Sequence, residues 1–302
     1  TDENIFVLGG GSNILLLNTV EAIVLHINLK GISVVSQTGQ DILIKAMAGE
    51  NWHAFVLHCI KNNYGGVENL SLIPGNVGAA PIQNIGAYGV ELKDVFESCT
   101  AVSIKTQQEK TFTNADCKFG YRNSILKNGA KGQFVVTSVT FRLTKNHHRL
   151  HTSYGTIADE LKKNGIARPT LKNISDAVMA IRQRKLPDPS VLGNSGSFFK
   201  NPVLGVEDFK KFNKKFPTAP FYEVPPAAFK VPAAWLIEQA GYKGKRFGNA
   251  GVHANQALVL VNFGGATGAE IWHLARRVQK AVLEKFNIKI EPEVQVVGKD
   301  TQ

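Results

Sequence analysis

Apolar positions along the chain recur with two periods, and each period predicts its own kind of element. Residues 5–8 and 14–17 are short apolar runs that read as strands. Trp52, Phe55, Val56, Cys59 and Ile60 form a helical stripe after Gly49. Residues 99–143 alternate as strands do, most clearly over 134–139. A helix is predicted over 175–185 with Ser175 as its N-cap, and it carries Arg182 and Lys185 on one face at i, i+3. Over 207–216, Phe209, Phe212 and Phe216 lie opposite Lys210, Lys211, Lys214 and Lys215, the pattern of a helix with one solvated face. A Pro-rich connection, 217–226, leads to a helix with Pro232 in its first turn and Gly241 just past its end. Residues 257–261 read as a buried strand, and 269–286 as a long amphipathic helix with Ile271, Leu274, Val278, Val282 and Phe286 as its stripe. The last strand alternates: Ile288, Ile290, Pro292, Val294 and Val296 on one side, Lys289, Glu291, Glu293 and Gln295 on the other. Strands and helices come in clusters rather than in strict alternation, so the expected class is α+β.

Composition narrows the function classes. A chain of 302 residues has room for two or three domains. No apolar run approaches the length of a bilayer span, and no signal peptide is visible. The chain opens at Thr1 on a strand and lacks an initiator Met, so the true N-terminus is expected upstream. Cys59, Cys99 and Cys117 are odd in number and far apart, which points to a reducing, cytoplasmic setting without a disulfide framework. His147, His148 and His151 have no Cys or carboxylate at ligand spacing, so no metal site is expected. A net charge of +11 fits either a nucleic-acid surface or a pocket for an acidic small molecule. The basic residues are spread along the chain, and no basic tail or aromatic–glycine RNA-binding motif accompanies them, which disfavours nucleic acid.

The glycine-rich stretches carry the candidate chemistry. Residues 9–13, Gly-Gly-Gly-Ser-Asn, sit between two predicted strands, so they are neither a dinucleotide fingerprint nor a Walker loop. A backbone nest for a diphosphate and a plain hairpin turn both remain open. Residues 65–90 are rich in Gly and poor in charge, as expected of backbone lying close against a flat ligand. Residues 193–202, Gly-Asn-Ser-Gly-Ser-Phe-Phe-Lys-Asn-Pro, suit a tight loop that fixes the Ser197 hydroxyl, or a simple turn before a strand. Arg122, within Phe-Gly-Tyr-Arg-Asn-Ser, is a permanently charged bidentate donor beside an aromatic, and the last strand offers Glu293. A surface arginine, a turn serine and a solvent-facing glutamate are the plain alternatives.

In this order, residues 9–13, 73–89, 119–124, 186–189, 193–202 and 291–294 resemble the UDP-N-acetylenolpyruvoylglucosamine reductase family of peptidoglycan precursor synthesis (MurB), over nearly the whole chain. The runs Pro-Gly-Asn-Val-Gly-Ala-Ala-Pro-Ile-Gln-Asn-Ile-Gly-Ala-Tyr-Gly and Ser-Gly-Ser-Phe-Phe-Lys-Asn-Pro carry most of it. The resemblance implies a flavin-binding fold of the vanillyl-alcohol-oxidase type with a separate C-terminal substrate domain. It implies noncovalent FAD, reduced by NADPH, passing hydride to UDP-N-acetylglucosamine enolpyruvate to give UDP-N-acetylmuramate. It assigns proton donation to Ser197 and stabilisation of an enolate-like intermediate to Arg122 and Glu293. FAD contacts carry over to Gly9, Gly11, Ser12, Asn13, Pro74, Gly75, Asn76, Gly78, Ala79, Ile85 and Gly86. Substrate contacts carry over to Tyr88, Lys185, Asn201, Tyr222, Lys243 and Gln256, with Tyr154 as the lid tyrosine of the family's first structural type.

The implied division is 1–30 as part of one flavin-binding subdomain, 31–186 with 288–302 as a second, and 187–287 for substrate, in a monomer free of membrane and nucleic acid. Two features depart from the family pattern. The usual strand–helix segment with an Asn-Thr-Phe-like motif before the first glycine loop is absent, and Gln295 stands where family members often carry Arg. A related flavin oxidase acting on a lactone or alcohol would share the fold, but it would need neither the Ser197 stretch nor Glu293. Such oxidases often attach flavin through a His beside the first loop, and residues 9–13 contain none.

Overall fold

A computed structural model describes residues 4–298; Thr1 and the outer ends of the 1–30 and 288–302 divisions lie outside the described residues. Packing divides the chain into two units, Thr1–Gly11 with Glu21–Arg184, and Ser12–Val20 with Lys185–Gln302. Residues 288–298 thus pack in the second unit.

The first unit is built on a five-stranded antiparallel sheet. Its order is Ile32–Gln37, Asp41–Met47, Phe134–Thr144, Phe96–Ser103, Glu109–Thr113. Asp41–Met47 shows why: Ile42, Ile44 and Ala46 are buried while their neighbours are half-buried, so one face of the strand joins the core. Helix Trp52–Lys61 lays its stripe on that core, with Asn51 Oδ1 capping the N–H of Ala54 at 3.0 Å. Trp52, Phe55 and Phe141 meet with ring centroids 4.5–5.9 Å apart, and the indole N–H donates to Leu70 O at 2.9 Å. The strands Ile5–Leu8 and Ile23–His26 form a separate parallel pair.

Helix Leu171–Lys185 starts four residues before the position expected from Ser175. Thr170 and Asn173 exchange side-chain-to-backbone hydrogen bonds at the start, Thr170 N–H to Asn173 Oδ1 at 3.0 Å and Asn173 N–H to Thr170 Oγ1 at 3.3 Å. Ser175 is buried inside the helix, its hydroxyl 2.8 Å from that of Ser71. A buried serine with a distant hydroxyl partner looks, in sequence, like a cap.

The second unit holds a four-stranded antiparallel sheet, in the order Gly193–Ser197, Val259–Asn262, Ala250–Val252, Arg246–Phe247. Helix Gly268–Phe286 packs its expected stripe against Ala250, Val252 and Leu260. Its N-terminus is a capping box of Thr267 and Glu270. A three-stranded sheet joins Val203–Gly205, Ala228–Lys230 and Tyr222–Val224, so part of the Pro-rich connection is a strand. Helix Val206–Lys215 buries Phe209 and Phe212.

Three further expectations change. Gly193–Ser197 is an edge strand with a bulge rather than a loop; it pairs with Val259–Asn262, and the register shifts between Asn194 and Ser197. The last strand is regular only over Gln295–Val297, and the expected alternation of burial holds over Ile288–Glu291 but breaks at Pro292 and Glu293, which are both half-buried. The buried strand begins at Val259, not at 257. Antiparallel sheets with helices set against them make the class α+β, as expected.

Candidate active site

The run across the first glycine loop does not form a hairpin. Ile5–Leu8 pairs with Ile23–His26, whereas Ile14–Leu16 pairs in parallel with Gln295–Val297. The two strands flanking the loop therefore belong to different units, and the chain crosses from one to the other between Gly11 and Ser12. Within the first unit, Gly10 lies on the second glycine segment: a Cβ at Gly10 would sit 2.9 Å from Gly75 Cα and 3.1 Å from Asn76 Oδ1.

Residues 75–78 are tied to the strand-to-helix turn before Trp52. Trp52 N–H donates to Gly75 O at 3.0 Å, Val77 N–H to Glu50 O at 2.8 Å and Gly78 N–H to Ala48 O at 2.9 Å. Gly78 is required there, since a Cβ would meet that of Ala48 at 2.5 Å. Among the described residues, the N–H groups of Gly10, Gly11, Gly75 and Asn76 donate to no acceptor. Four backbone donors without partners on two touching glycine segments suit the oxygens of a diphosphate, so the residues present fit the flavin nucleotide. Gly9, Pro74 and Ala79 border the same segments, and Ser12 and Asn13 follow in the second unit.

Arg122 is set by a second arrangement in the first unit. Residues 120–123 make a tight turn, with Gly120 and Asn123 exchanging backbone hydrogen bonds and Arg122 at φ 51°. The fully buried Asn84 anchors the turn: its amide donates to Gly120 O and to Glu91 Oε2, each at 3.0 Å, while its oxygen accepts from Lys93 N–H. Arg122 Nη2 donates to Gly86 O at 2.5 Å, and its guanidinium lies 5.4 Å from the centre of the Tyr121 ring. Ile85 and Gly86 thus stand beside Arg122.

Tyr88 follows at φ 51°, and its phenol is pushed up by burial, so it is neutral near pH 7. Tyr154 packs on Gly89, where a Cβ would approach within 3.2 Å of the Tyr154 Cβ. The expected lid tyrosine and Tyr88 are therefore neighbours in one unit.

In the second unit Glu293 pairs with Phe198, the residue that follows Ser197. Glu293 N–H donates to Phe198 O at 2.8 Å, Phe199 bridges Pro292, and Lys200 N–H donates to Glu291 O at 2.9 Å. The Ser197 hydroxyl makes no hydrogen bond among the described residues, while Ser195 Oγ donates to Ile14 O at 2.9 Å. Glu293 is half-buried, unlike the exposed Lys289 and Glu291 of the same run.

Asn201 Oδ1 accepts from Ala233 N–H at 2.9 Å, capping the helix Ala233–Gln239 and leaving its amide group for other work. Gln256 lies in the turn that leads into the strand paired with Ser197. Tyr222 is exposed beside the Lys230 ammonium, and Lys243 is exposed and paired with Glu238 at 2.8 Å. Lys185, also exposed, ends the helix Leu171–Lys185. Arg122 belongs to the first unit, and Ser197 and Glu293 to the second.

A family model for the C-terminal domain of UDP-N-acetylenolpyruvoylglucosamine reductase matches residues 188–297, and one for an FAD binding domain matches 1–113. The chain is 60% identical to a UDP-N-acetylenolpyruvoylglucosamine reductase of Flavobacterium johnsoniae, over 98% of this chain and 88% of that protein. The chain belongs to the UDP-N-acetylenolpyruvoylglucosamine reductase family. A reductase of the same name from Chromobacterium violaceum is 50% identical over 95% of this chain and 84% of its own length. The crystal structure of the Thermus caldophilus reductase (MurB) has the same fold, with a TM-score of 0.64 at 23% identity, covering 99% of this chain and 87% of that one.

As a member of this family, the chain is an FAD-dependent oxidoreductase. It uses NADPH to reduce UDP-N-acetylglucosamine enolpyruvate to UDP-N-acetylmuramate in peptidoglycan precursor synthesis. Its partner is a small-molecule UDP-sugar, and no helix of the described residues is long and apolar enough to cross a membrane.

The resemblance passed over some of the residues that shape these arrangements. Asn84 gave no signal because an amide in an apolar run reads as a turn residue. Gly268 is required because a Cβ there would fall 1.7 Å from Leu16 O, a contact no local pattern announces. Among the described residues no three His, Cys, Asp or Glu side chains group as a metal site, and His148 is bonded through Nδ1 to the Thr144 hydroxyl at 2.7 Å.

Proposed function

We propose that Ser197 is the proton donor of the reductase and that Arg122 and Glu293 stabilise the charge that precedes proton transfer. Bound FAD supplies the two-electron hydride chemistry linking NADPH to the enolpyruvyl group. Hydride addition at one alkene carbon leaves negative charge on the carbon next to the carboxylate, and that carbon must be protonated. A serine hydroxyl is a weak acid, so it serves only a strongly basic carbon, and it must be aimed rather than acidic. Arg122 offers a fixed planar cation, oriented through Gly86 O and Tyr121, for the enolate oxygen.

The observation that carries the reading is the pairing of 198–200 with 291–293, which sets Glu293 opposite Phe198, one residue along from Ser197. The glycine segments Gly9–Gly11 and Pro74–Ala79, with Ser12, Asn13, Ile85 and Gly86, are assigned to FAD. Tyr88, Tyr154, Lys185, Asn201, Tyr222, Lys243 and Gln256 are assigned to the substrate, Lys185 and Lys243 as cations for its diphosphate. Residues 1–30, together with 31–186 and 288–302, are assigned to flavin binding, and 187–287 to substrate binding. The protein is read as a cytoplasmic monomer.

The two half-reactions test the assignment. In Ser197→Ala, bleaching of the bound flavin by NADPH should proceed as in the wild type, while reoxidation by UDP-N-acetylglucosamine enolpyruvate should slow by several orders of magnitude. Equal slowing of both would make Ser197 a structural residue.

A further inference from the structure

Helix Leu171–Lys185 ends with two arginines that differ in one respect. Arg184 grips the Glu160 carboxylate with both ends of its fork, Nη1 to Oε1 at 3.1 Å and Nη2 to Oε2 at 2.5 Å. Among the described residues Arg182 pairs with no carboxylate. Its Nε–H is sealed from solvent and meets no acceptor. The side chains that bear on its charge are those of Tyr88 and His53.

Neither supplies a countercharge. The Tyr88 phenol is held protonated by burial. His53 accepts the Leu72 N–H on Nδ1 at 3.0 Å and is kept neutral, first by burial and then by Arg182 itself. A guanidinium always carries a proton on Nε and keeps its charge. A half-buried cation whose Nε–H is sealed from solvent without an acceptor costs stability unless something else in the working protein answers it.

The surroundings indicate what answers it. His53 braces Leu72, which leads directly into the Pro74–Asn76 segment, and Tyr88 is backed by Tyr154 on Gly89. Asn69 lies there too, with its amide donating to the carbonyls of Tyr88 and His151 and its own oxygen buried without a partner. An orphaned cationic donor and an orphaned acceptor thus border the same tyrosine.

We infer that Arg182 is a ligand-binding residue that receives an oxyanion group of a bound nucleotide through a charge-assisted hydrogen bond. This rests on the function proposed above and extends it to a residue for which that reading has no role. The anion has two possible sources, the FAD diphosphate and the carboxylate or diphosphate of the UDP-sugar substrate; both suit a planar fork better than an ammonium.

Three proteins decide it: wild type, Arg182→Met and Arg182→Lys. FAD affinity is measured on apoprotein by fluorescence quenching, and UDP-N-acetylglucosamine enolpyruvate affinity on FAD-loaded protein by the change in flavin absorbance. Arg182→Met should weaken one of the two by at least tenfold, with Arg182→Lys falling between it and the wild type. Loss of FAD affinity identifies the cofactor as the source, and loss of substrate affinity with normal FAD binding identifies the substrate. The melting temperature of apo Arg182→Met should match or exceed that of the wild type, because a sealed donor without an acceptor has been removed.

Both affinities within twofold of the wild type would overturn the inference. So would a substantially lower melting temperature of apo Arg182→Met, which would mark Arg182 as structural. Failure of the wild type to bind either ligand would instead overturn the underlying functional reading.

Discussion

Gly10→Ala probes the cofactor cradle with a single methyl group. The Cβ would stand 2.9 Å from Gly75 Cα, 3.3 Å from Gly75 C and 3.1 Å from Asn76 Oδ1. Two of these atoms are backbone, and that backbone is pinned by Trp52 N–H on Gly75 O, so no side-chain rotation relieves the contact. Forcing a methyl group into such a contact costs about 1–3 kcal/mol. If the loops separate to relieve it, the four unpaired N–H groups no longer lie on touching segments, and the cost falls on the cofactor. At about 1.4 kcal/mol per decade, FAD should bind roughly 5- to 150-fold more weakly.

The assay is FAD titration of apoprotein by fluorescence quenching, with Gly39→Ala as control, since a Cβ at Gly39 has no neighbour within 4 Å. Gly11→Ala separates strain from crowding: at φ +64° its nearest atom is Leu8 Cδ1 at 3.9 Å, so the penalty is backbone strain of about 1–2 kcal/mol. A Gly10→Ala protein that binds FAD within twofold of the Gly39→Ala control would refute the claim that contact between the two glycine segments forms the diphosphate site.

Arg122→Lys should reduce turnover by at least tenfold while FAD stays bound, because an ammonium cannot both hold Gly86 O and present a planar cation; near-normal steady-state kinetics would remove its assigned role. Asn84→Ala should lower stability by about 2–4 kcal/mol in urea denaturation, since it removes the buried amide that bonds three groups on two chain segments, 91–93 and 120; a loss under 1 kcal/mol would show that the segments hold without it. The Glu160 carboxyl is held below its ordinary range chiefly by its hydrogen bonds from Arg184, so its contribution to stability is present at neutral pH and disappears as pH falls through the lowered value. The melting-temperature gap between wild type and Glu160→Gln should therefore be widest near pH 7 and close in acid, and a gap constant from pH 7 to pH 3 would contradict the assignment.

Local elements were readable because their causes are local. Strand Ile5–Leu8 and helices Trp52–Lys61 and Gly268–Phe286 follow from runs and stripes of apolar residues. Helix Val206–Lys215 follows from phenylalanines opposite lysines. The catalytic candidates were readable through motif, since glycine, arginine and serine in those runs resemble one family. Ser175 misled because a serine within a buried helix face and a serine at a cap differ only in a partner 104 residues away, Ser71. The Gly193–Ser197 stretch misled because its glycines argue for a loop, while its neighbour Val259–Asn262 makes it a bulged strand.

The sequence by itself determined the helices and strands with strong apolar periodicity, which residues bear charge or a hydroxyl, and the family whose chemistry they serve. Tertiary structure alone decided the partners. It sends the strand after the first glycine loop to Gln295–Val297 rather than back along its predecessor, sets Glu293 beside Phe198, and gives Glu160 to Arg184 while leaving the Arg182 Nε–H without an acceptor among the described residues. The physical reason is that propensity and periodicity act over a few residues. Backbone pairing and burial join groups tens to hundreds of residues apart, and the N–H and C=O groups that make those joins are the same in every residue but proline.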